Sequence, residues 1–442
     1  MGHVFYRRLT RSYPLAVRGD GVYLWDAAGR RYIDACGGPV LVNIGHGVAE
    51  VVQALAGQAG QVAYVHAIDF STEVLETYSD RLAAIIPLPD ARFFYLTSGS
   101  EAIEAALKFA RQVQVARGER ARDKIIARWG SYHGATLGTL AVTGEPRMRT
   151  LFSPLFQDQP HIPSPYCYRC IFGATYPTCE LACAQALEAE ILRHGPGRVL
   201  AFIAEPVAGS ALGAVVPPQG YWQQAAELCN RYGLLLIVDE VMTGFGRTGR
   251  WFAMEHFGVQ PDVIAAGKGA TSGYVPFSIT AVRQRDIETI RQAHGDFSHG
   301  GTFSHHPVGA AAALATLRYL DEHELVAAAA SRGAYLGQRL CEALQDLLCV
   351  GEVRGLGMMW AVEFVADRTT KAPFPPGLRF SQRVSSLAFE RGVLLYARYG
   401  TVDGVAGDHL MVSPPFVITE AQIDEVVSVL QEAICDAWEE AR

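Results

Sequence analysis

The chain has 442 residues, of which 50% are hydrophobic and only 19% are charged, with 38 basic against 45 acidic side chains. This apolar composition excludes intrinsic disorder and favours a large core with an apolar oligomer interface, while a net charge of -7 without blocks of like charge argues against nucleic-acid binding. No apolar run is long enough to span a membrane, and the first residues lack the apolar region of a secretory signal.

Short strands and turns dominate the first sixty or so residues. Residues 22–26 and 31–34, separated by a glycine turn, predict a β-hairpin. From about residue 71, helical patterns alternate with four runs that are apolar on both faces, at residues 93–96, 124–127, 200–204 and 234–238. Such runs are typical of strands buried in a mainly parallel sheet with helices on both sides, so we expect an α/β fold.

The last third of the chain begins after a helix predicted over residues 307 to about 323. It combines further helices, a strand pair near residues 358–364 and a long C-terminal helix, at whose start Thr419 and Gln422 have capping-box spacing. Changes of pattern then predict the division of the chain: an N-terminal segment of a small domain over 1–70, a large domain over 71–325 and a C-terminal small domain over 326–442.

The first candidate site follows the run that ends at residue 96. Ser98, Gly99 and Ser100 form a turn, and Glu101 opens a helix at capping-box distance from Ser98. The pattern fits a well-capped helix. It equally fits an anion site, in which free backbone amides, two hydroxyls and the positive helix end hold a phosphate.

Two further segments place ionisable side chains after apolar strands. Asp239 ends one strand, and a buried carboxylate there needs a partner, either a protonated ring nitrogen or a structural salt bridge. Lys268 follows another apolar run and lies between two glycines. Burial would lower its pKa and leave a neutral amine able to form a Schiff base, although a lysine in a surface turn is the simpler alternative.

A glycine-rich run at residues 244–249 matches the dinucleotide-binding fingerprint. That fingerprint joins a strand directly to a helix, with an acidic residue about twenty positions further on. Here residues 240–243 separate the run from the strand, and residues 250–252 begin a helix poorly. Nicotinamide binding is therefore disfavoured.

Four cysteines, Cys167, Cys170, Cys179 and Cys183, lie in a loop rich in proline and tyrosine. Paired cysteines are typical of zinc sites, but the gap between the pairs is usually longer. The chain has nine cysteines, an odd number, and they are scattered along it. We therefore favour reduced thiols over a structural metal and expect a soluble, cytoplasmic protein.

A phosphate cradle, a carboxylate for a ring nitrogen and a buried lysine are together the groups that hold pyridoxal phosphate. The sequence resembles the class III, or omega, aminotransferases, and among them most closely the amine:pyruvate transaminases. The matching stretches follow family order along nearly the whole chain, at residues 98–102, 132–134, 204–207, 239–249, 266–269 and 301–307. The resemblance implies the fold-type-I architecture, with a mainly parallel seven-stranded sheet in a large domain and a smaller α+β domain.

The resemblance also implies roles for the matching residues. Lys268 would form the internal aldimine and carry the proton between substrate and cofactor, and Asp239 would keep the pyridine nitrogen protonated. The other implied cofactor contacts are Ser98, Gly99 and Ser100 at the phosphate, Tyr132 and Val241 on the two ring faces, Glu205 close by, and Thr302 from the neighbouring subunit. An obligate homodimer follows from that shared site. His133 and His306 are interpreted as packing or supporting residues.

The positions that recognise substrate differ from those of ornithine, acetylornithine and 4-aminobutyrate aminotransferases. Met411 occupies the place of their carboxylate-binding arginine, and Ser210 the place of their gating glutamate. Met242 replaces a glutamine that often contacts the cofactor's phenolic oxygen. These differences speak against the acetylornithine and 4-aminobutyrate activities and fit amine:pyruvate-type enzymes, which accept amines without an α-carboxylate. The resemblance therefore implies ping-pong transfer from an amine or omega-amino donor to a keto acid such as pyruvate.

Arg398, before a glycine-rich loop at 400–407, lies near where amine transaminases place a mobile arginine, and it is the candidate for binding the acceptor carboxylate. A solvated surface arginine is the alternative. The candidates for the apolar donor pocket, each of which could equally be core, are Trp25, Pro39, Val40, Leu41 and Tyr132. The alternative function is a lyase or aminomutase of the same family, such as an amino-alcohol phosphate phospholyase, which would need a second cationic pocket.

Overall fold

A computed structural model describes residues 3–442 and arranges their strands in three sheets. The strands are β1 (Ala16–Asp20), β2 (Tyr23–Asp26), β3 (Arg31–Asp34), β4 (Ala91–Leu96), β5 (Lys124–Arg128), β6 (His161–Ile162), β7 (Val199–Ala204), β8 (Leu235–Asp239), β9 (Val263–Ala266), β10 (Ser278–Arg283), β11 (Val350–Leu356), β12 (Met359–Phe364), β13 (Val393–Leu394), β14 (Tyr396–Tyr399) and β15 (Asp408–Val412).

The helices of the described residues alternate with the strands of the central sheet and then cluster towards the C-terminus. They are α1 (Gly37–Val40, a single irregular turn), α2 (Ala49–Gln61), α3 (Glu73–Ala83), α4 (Gly99–Ala116), α5 (Leu137–Val142), α6 (Pro146–Arg149), α7 (Ala182–His194), α8 (Tyr221–Tyr232), α9 (Gln284–His294), α10 (Pro307–Glu322), α11 (Leu325–Leu344), α12 (Phe380–Glu390) and α13 (Glu420–Ala441). None of the helices in residues 3–442 combines the length and apolar character needed to cross a membrane.

The central sheet has seven strands in the order β4-β10-β9-β8-β7-β5-β6. Only β10 runs antiparallel to its neighbours, and every other pair is parallel. The four apolar runs predicted as strands are β4, β5, β7 and β8. The predicted α/β fold with a mainly parallel seven-stranded sheet is therefore confirmed.

Helices cover both faces of this sheet. Apolar residues of α4 and α9 pack on one face, and those of α7 and α8 pack on the other. Strands β7, β8 and β9 are buried along their whole length, which explains why their sequences lack the polar alternation of a half-exposed strand. This packing fixes the carboxyl ends of the strands, from which the candidate site is built.

Two four-stranded sheets, ordered β1-β2-β3-β13 and β11-β12-β15-β14, lie outside the central sheet. The first contains the predicted hairpin, in which β2 pairs antiparallel with β3, and β3 in turn pairs with β13 from the C-terminal region. The second contains the predicted strand pair near residue 360. Helices α10 and α13 are also confirmed, while the three-part domain division stays a prediction.

Candidate active site

A cavity of about 180 Å³ lies where β4, β7 and β8 end and α4 begins. Its position agrees with the rule that open α/β sheets bind ligands beyond the carboxyl ends of their strands. We call it the central cleft. Its lining residues are Ser98, Gly99, Ser100, Tyr132, His133, Gly134, Glu205, Val207, Ser210, Asp239, Val241, Met242, Thr243 and Lys268.

The first wall of the central cleft is the start of α4. Ser98 and Glu101 form the predicted capping box, with the Ser98 backbone N–H donating to Glu101 Oε2 at 2.8 Å. The amides of Gly99 and Ser100, in the first turn, have no acceptor within the helix. A Cβ on Gly99 would approach Val241 Cγ1 to 2.8 Å, so only glycine lets Val241 pack this closely against the helix start.

Asp239 ends β8 inside the cleft with only 5% of its surface exposed. Its Oδ2 atom lies 2.7 Å from Nδ1 of His133, and its Oδ1 atom accepts the backbone N–H of Val241 at 3.0 Å. Because an ionised carboxylate only accepts, the proton of the first bond belongs to His133 Nδ1. A carboxylate can accept about four hydrogen bonds, so Asp239 keeps capacity for a further donor from the cleft on either oxygen.

Of the two interpretations of His133, packing or support, the structure agrees with support, since His133 hydrogen-bonds the predicted catalytic carboxylate directly. Its side chain is fully buried, and Nε2 has no hydrogen-bond partner among the described residues. The sequence offered one signal for this contact: His133 follows Tyr132 in a stretch that matches the family. Its bond to a residue 106 positions away was not predicted.

Lys268 lines the same cleft, in the turn that follows β9. Its backbone adopts φ +42°, a left-handed conformation that is unusual outside glycine and occurs often at functional sites. Burial lowers the pKa of its ammonium group to about 8, against the opposing effect of the Asp239 and Glu205 carboxylates. A larger fraction of this amine is neutral at pH 7 than of an exposed lysine.

Glu205 contributes a second buried carboxyl group to the cleft. Its Oε1 atom accepts the backbone N–H of Gly209 at 3.0 Å, whereas Oε2 is buried and has no partner among the described residues. Burial raises the pKa of this carboxyl group. An unpaired polar atom in the wall of a cleft is a position at which a ligand can donate a hydrogen bond.

Arg398 lies on β14, outside the lining of the central cleft. Its side chain is 13% exposed, and its Nη2 atom forms an ion pair of 2.5 Å with Glu145 Oε2. Its Nε atom donates to the carbonyl oxygen of Ser210, a lining residue, at 3.1 Å. Arg398 is thus held next to the cleft instead of extending into solvent, and Glu145 was not singled out from the sequence.

Other predicted site residues lie outside the lining that the described residues form. Val40 packs in a small apolar cluster with Val207 and Met411, and Trp25 lies under the guanidinium of Arg18 at 4.5 Å. Leu41 is half-buried and Thr302 is exposed. Their assignment to substrate and cofactor stays a prediction for the assembled enzyme.

The glycine-rich run at 244–249 forms turns and does not begin a helix. Its Arg247 is fully buried and donates to Asn43 Oδ1 at 2.6 Å and to the Pro414 carbonyl at 2.8 Å. Through Arg247, this run is hydrogen-bonded to segments of the chain near residues 43 and 414. All nine cysteines are free thiols, and within residues 3–442 no three His, Cys, Asp or Glu side chains are grouped so that they could hold a metal ion.

Comparison with known proteins gives a consistent family. Residues 6–434 match the family described as Aminotransferase class-III. The uncharacterized aminotransferase YodT of Bacillus subtilis is 38% identical over 426 residues, 96% of each chain. Putrescine–pyruvate aminotransferase of Pseudomonas aeruginosa is 34% identical over 433 residues, 97% of this chain and 92% of its own. The crystal structure of an (S)-enantioselective omega-transaminase from Thermomicrobium roseum is 38% identical, with a TM-score of 0.90 over 100% of this chain and 96% of that one.

Proposed function

The chain belongs to the class III aminotransferases, and from this membership we propose that it uses pyridoxal phosphate to transfer an amino group from an amine or omega-amino donor to a keto acid such as pyruvate. The resemblance recognised in the sequence is thereby confirmed at the level of the family. The observation that carries the proposal is that Lys268 and Asp239 line one cleft at the carboxyl ends of the central strands. Donor, acceptor and residue roles belong to the proposal.

The central cleft fits pyridoxal phosphate at three points. The first turn of α4 offers the amides of Gly99 and Ser100 to a phosphate. Asp239 has acceptor capacity left for a ring N–H. Lys268 supplies an amine whose lowered pKa favours the neutral, nucleophilic form.

Pyridoxal phosphate, when bound, supplies an aldehyde that reacts with amines and a ring that withdraws electrons from the substrate carbon. Asp239, oriented by His133 and by the Val241 N–H, would accept the ring N–H. Lys268 Nζ, in its neutral form, would be the base that removes the proton from the donor carbon and later returns a proton to the bound substrate. Tyr132 and Val241, which both line the cleft, would hold the ring between them.

Substrate choice follows from the apolar residues near the cleft. Met242 lines it, and Met411 belongs to the small cluster that also contains Val207, a lining residue. Neither position carries a cationic side chain that would bind the α-carboxylate of an amino-acid donor. In the second half of the ping-pong cycle, the acceptor carboxylate is bound by Arg398.

Two further expectations, one about the oligomeric state and one about the cellular location, belong to the same proposal. Thr302 is exposed in the single chain, and we propose that it reaches the phosphate site of a second subunit in a homodimer. The scattered free thiols favour the reducing conditions of the cytoplasm.

The test is to purify the protein with pyridoxal phosphate and record its absorbance before and after borohydride reduction. We expect a yellow absorbance that disappears on reduction, while the cofactor becomes covalently attached to Lys268 through a stable secondary amine. We also expect alanine to form from pyruvate and an amine donor, with parallel double-reciprocal lines. Lys268→Ala should remove both chromophore and alanine formation, whereas the exposed-lysine control Lys371→Ala should keep both. Intersecting lines would refute the ping-pong cycle, and phosphate release without alanine would favour the phospholyase.

A further inference from the structure

The side chain of Arg398 is held by two hydrogen-bond acceptors from different parts of the chain. Glu145, just before α6, forms the 2.5 Å ion pair with its Nη2 atom, and the Ser210 carbonyl accepts its Nε–H at 3.1 Å. Only 6% of the Glu145 side chain is exposed. A carboxylate this buried needs at least one cationic partner at all times, because an unpaired buried charge is costly.

Each acceptor of Arg398 has a second donor. Glu145 Oε1 forms another ion pair with Arg147 Nη2 at 2.5 Å, so one carboxylate is shared by two guanidinium groups. The Ser210 carbonyl also lies 3.2 Å from His409 Nε2. If Arg398 moved away, neither Glu145 nor the Ser210 carbonyl would be left buried without a partner, so its release costs little.

The position that the Arg398 side chain occupies lies beside the central cleft. Ser210 lines the cleft, and Tyr132, another lining residue, is close enough that the charges of Arg398 and Glu145 act on its hydroxyl group. Glu145 also lines a second cavity of about 760 Å³, together with Gly144 and the loop that follows Arg398. Both this cavity and the central cleft offer open space near a guanidinium that leaves Glu145.

We propose that Glu145 sets acceptor selectivity by competing with the keto acid's carboxylate for Arg398, while Arg147 and His409 keep the vacated acceptors satisfied. This rests on the proposed transaminase function and adds to it a residue that determines specificity. With an amine donor that carries no carboxylate, Arg398 stays paired with Glu145. When an acceptor with a carboxylate binds, its carboxylate replaces that of Glu145 as the ion-pair partner of the Arg398 guanidinium.

The test measures carboxylate binding to the holoenzyme by calorimetric titration, without turnover. Propionate carries the carboxylate and chain length of pyruvate but has no keto group, and propionamide is its uncharged counterpart. Because Glu145→Gln removes the competing charge, we expect propionate to bind about tenfold more tightly and propionamide to bind as in the wild type. Arg398→Ala should abolish the preference for propionate.

The double variant Glu145→Gln/Arg398→Ala separates competition from a general electrostatic effect. If Glu145 acts through Arg398, the tenfold gain disappears in this background. A gain that persists without Arg398, a Glu145→Gln protein with unchanged propionate affinity, or a wild-type protein that does not bind propionate overturns the proposal. Glu352→Gln, which removes a carboxylate paired with Arg354 at 2.6 Å, is the matched control and should leave propionate binding unchanged.

A second variant tests the same idea in the opposite direction and covers the case in which Glu145→Gln fails to fold. Arg147→Gln leaves Glu145 to Arg398 alone, so propionate should bind more weakly, and the weakening should vanish when Arg398 is also replaced by alanine. Equal weakening with and without Arg398 contradicts the proposal. Failure of the proposed function would instead appear as a wild-type protein that forms no alanine from pyruvate.

Discussion

Neighbouring groups orient Asp239 in the central cleft and shift the pKa values of Glu205 and Lys268. Asp239 gains an orienting donor from His133, and Glu205 keeps an unpaired oxygen in a buried position that raises its pKa. Burial lowers the pKa of Lys268 by more than the negative charges of these two carboxylates raise it. The three groups therefore act as a unit, and Lys268 is the member whose titration is easiest to measure.

The lowered pKa of Lys268 predicts the pH dependence of its reaction with an aldehyde. The neutral amine is the nucleophile, so its fraction rises with pH through the folded-state pKa of about 8 instead of the ordinary value of 10.5. The rate at which cofactor-free protein reacts with pyridoxal should therefore increase with a midpoint near pH 8, followed as the growth of the yellow absorbance. The Lys268→Ala protein provides the background reaction of the other lysines. A midpoint near 10.5 would contradict the buried environment assigned to this amine.

At the scale of elements, the site depends on how closely α4 approaches the segment that follows β8. Gly99 lies at the start of α4, and a side chain there would meet both Cγ atoms of Val241, at 2.8 and 3.2 Å. Val241 is also the residue whose N–H holds Asp239. A change at Gly99 thus affects the start of α4 and the orientation of Asp239 together.

Gly99→Ala is expected to destabilise the protein by about 1–3 kcal/mol, because Val241 must move to admit the new methyl group. The affinity for pyridoxal phosphate should fall as well. Gly57→Ala in the middle of α2 is the matched control, since a Cβ there meets nothing within 4 Å. That control should gain about 0.5–1 kcal/mol, because alanine is the better helix former. Urea unfolding of both variants measures the difference, and equal effects would show that the close approach to Val241 is unimportant.

Elements with a strong local pattern were predicted from the sequence, and long-range pairings were not. Strands β7 and β8 were found because strands buried on both faces are continuously apolar, and α4 because Ser98 and Glu101 have capping-box spacing. The antiparallel direction of β10 was not predicted. Its connection to β9, residues 267–277, holds Lys268 and is too short for the helical crossover that parallel strands require.

The same distinction applies to the candidate site. The lining residues lie close in sequence to strand ends or helix starts. That they lie near one another could therefore be inferred from the predicted sheet alone. The pairing of Glu145 with Arg398 joins residues 253 positions apart, and it depends on how β14 packs beside the central sheet. No local pattern around Glu145 records that packing.

At the scale of the whole molecule, Thr302 is the one predicted cofactor contact that lies outside the lining of the central cleft among the described residues of a single chain. Thr302 is exposed and lies outside the lining formed by the described residues, although the segment around it matches the family. Since phosphate binding gains from hydroxyl and amide donors, a second chain that supplies Thr302 would strengthen the α4 end of the cleft. The two subunits would then share each site.

Shared sites predict complementation between two defective chains. A Lys268→Ala chain lacks the proposed catalytic amine, and a Thr302→Asp chain would place a carboxylate against the bound phosphate, so each homodimer should be nearly inactive. In the mixed dimer, the site with Lys268 intact receives the wild-type Thr302 from the other chain. Co-expression with two affinity tags should therefore give a heterodimer with about half the wild-type activity, because one of its two sites is whole. If Thr302 serves its own subunit, neither site of the mixed dimer is intact, and the isolated heterodimer will be as inactive as the two parents.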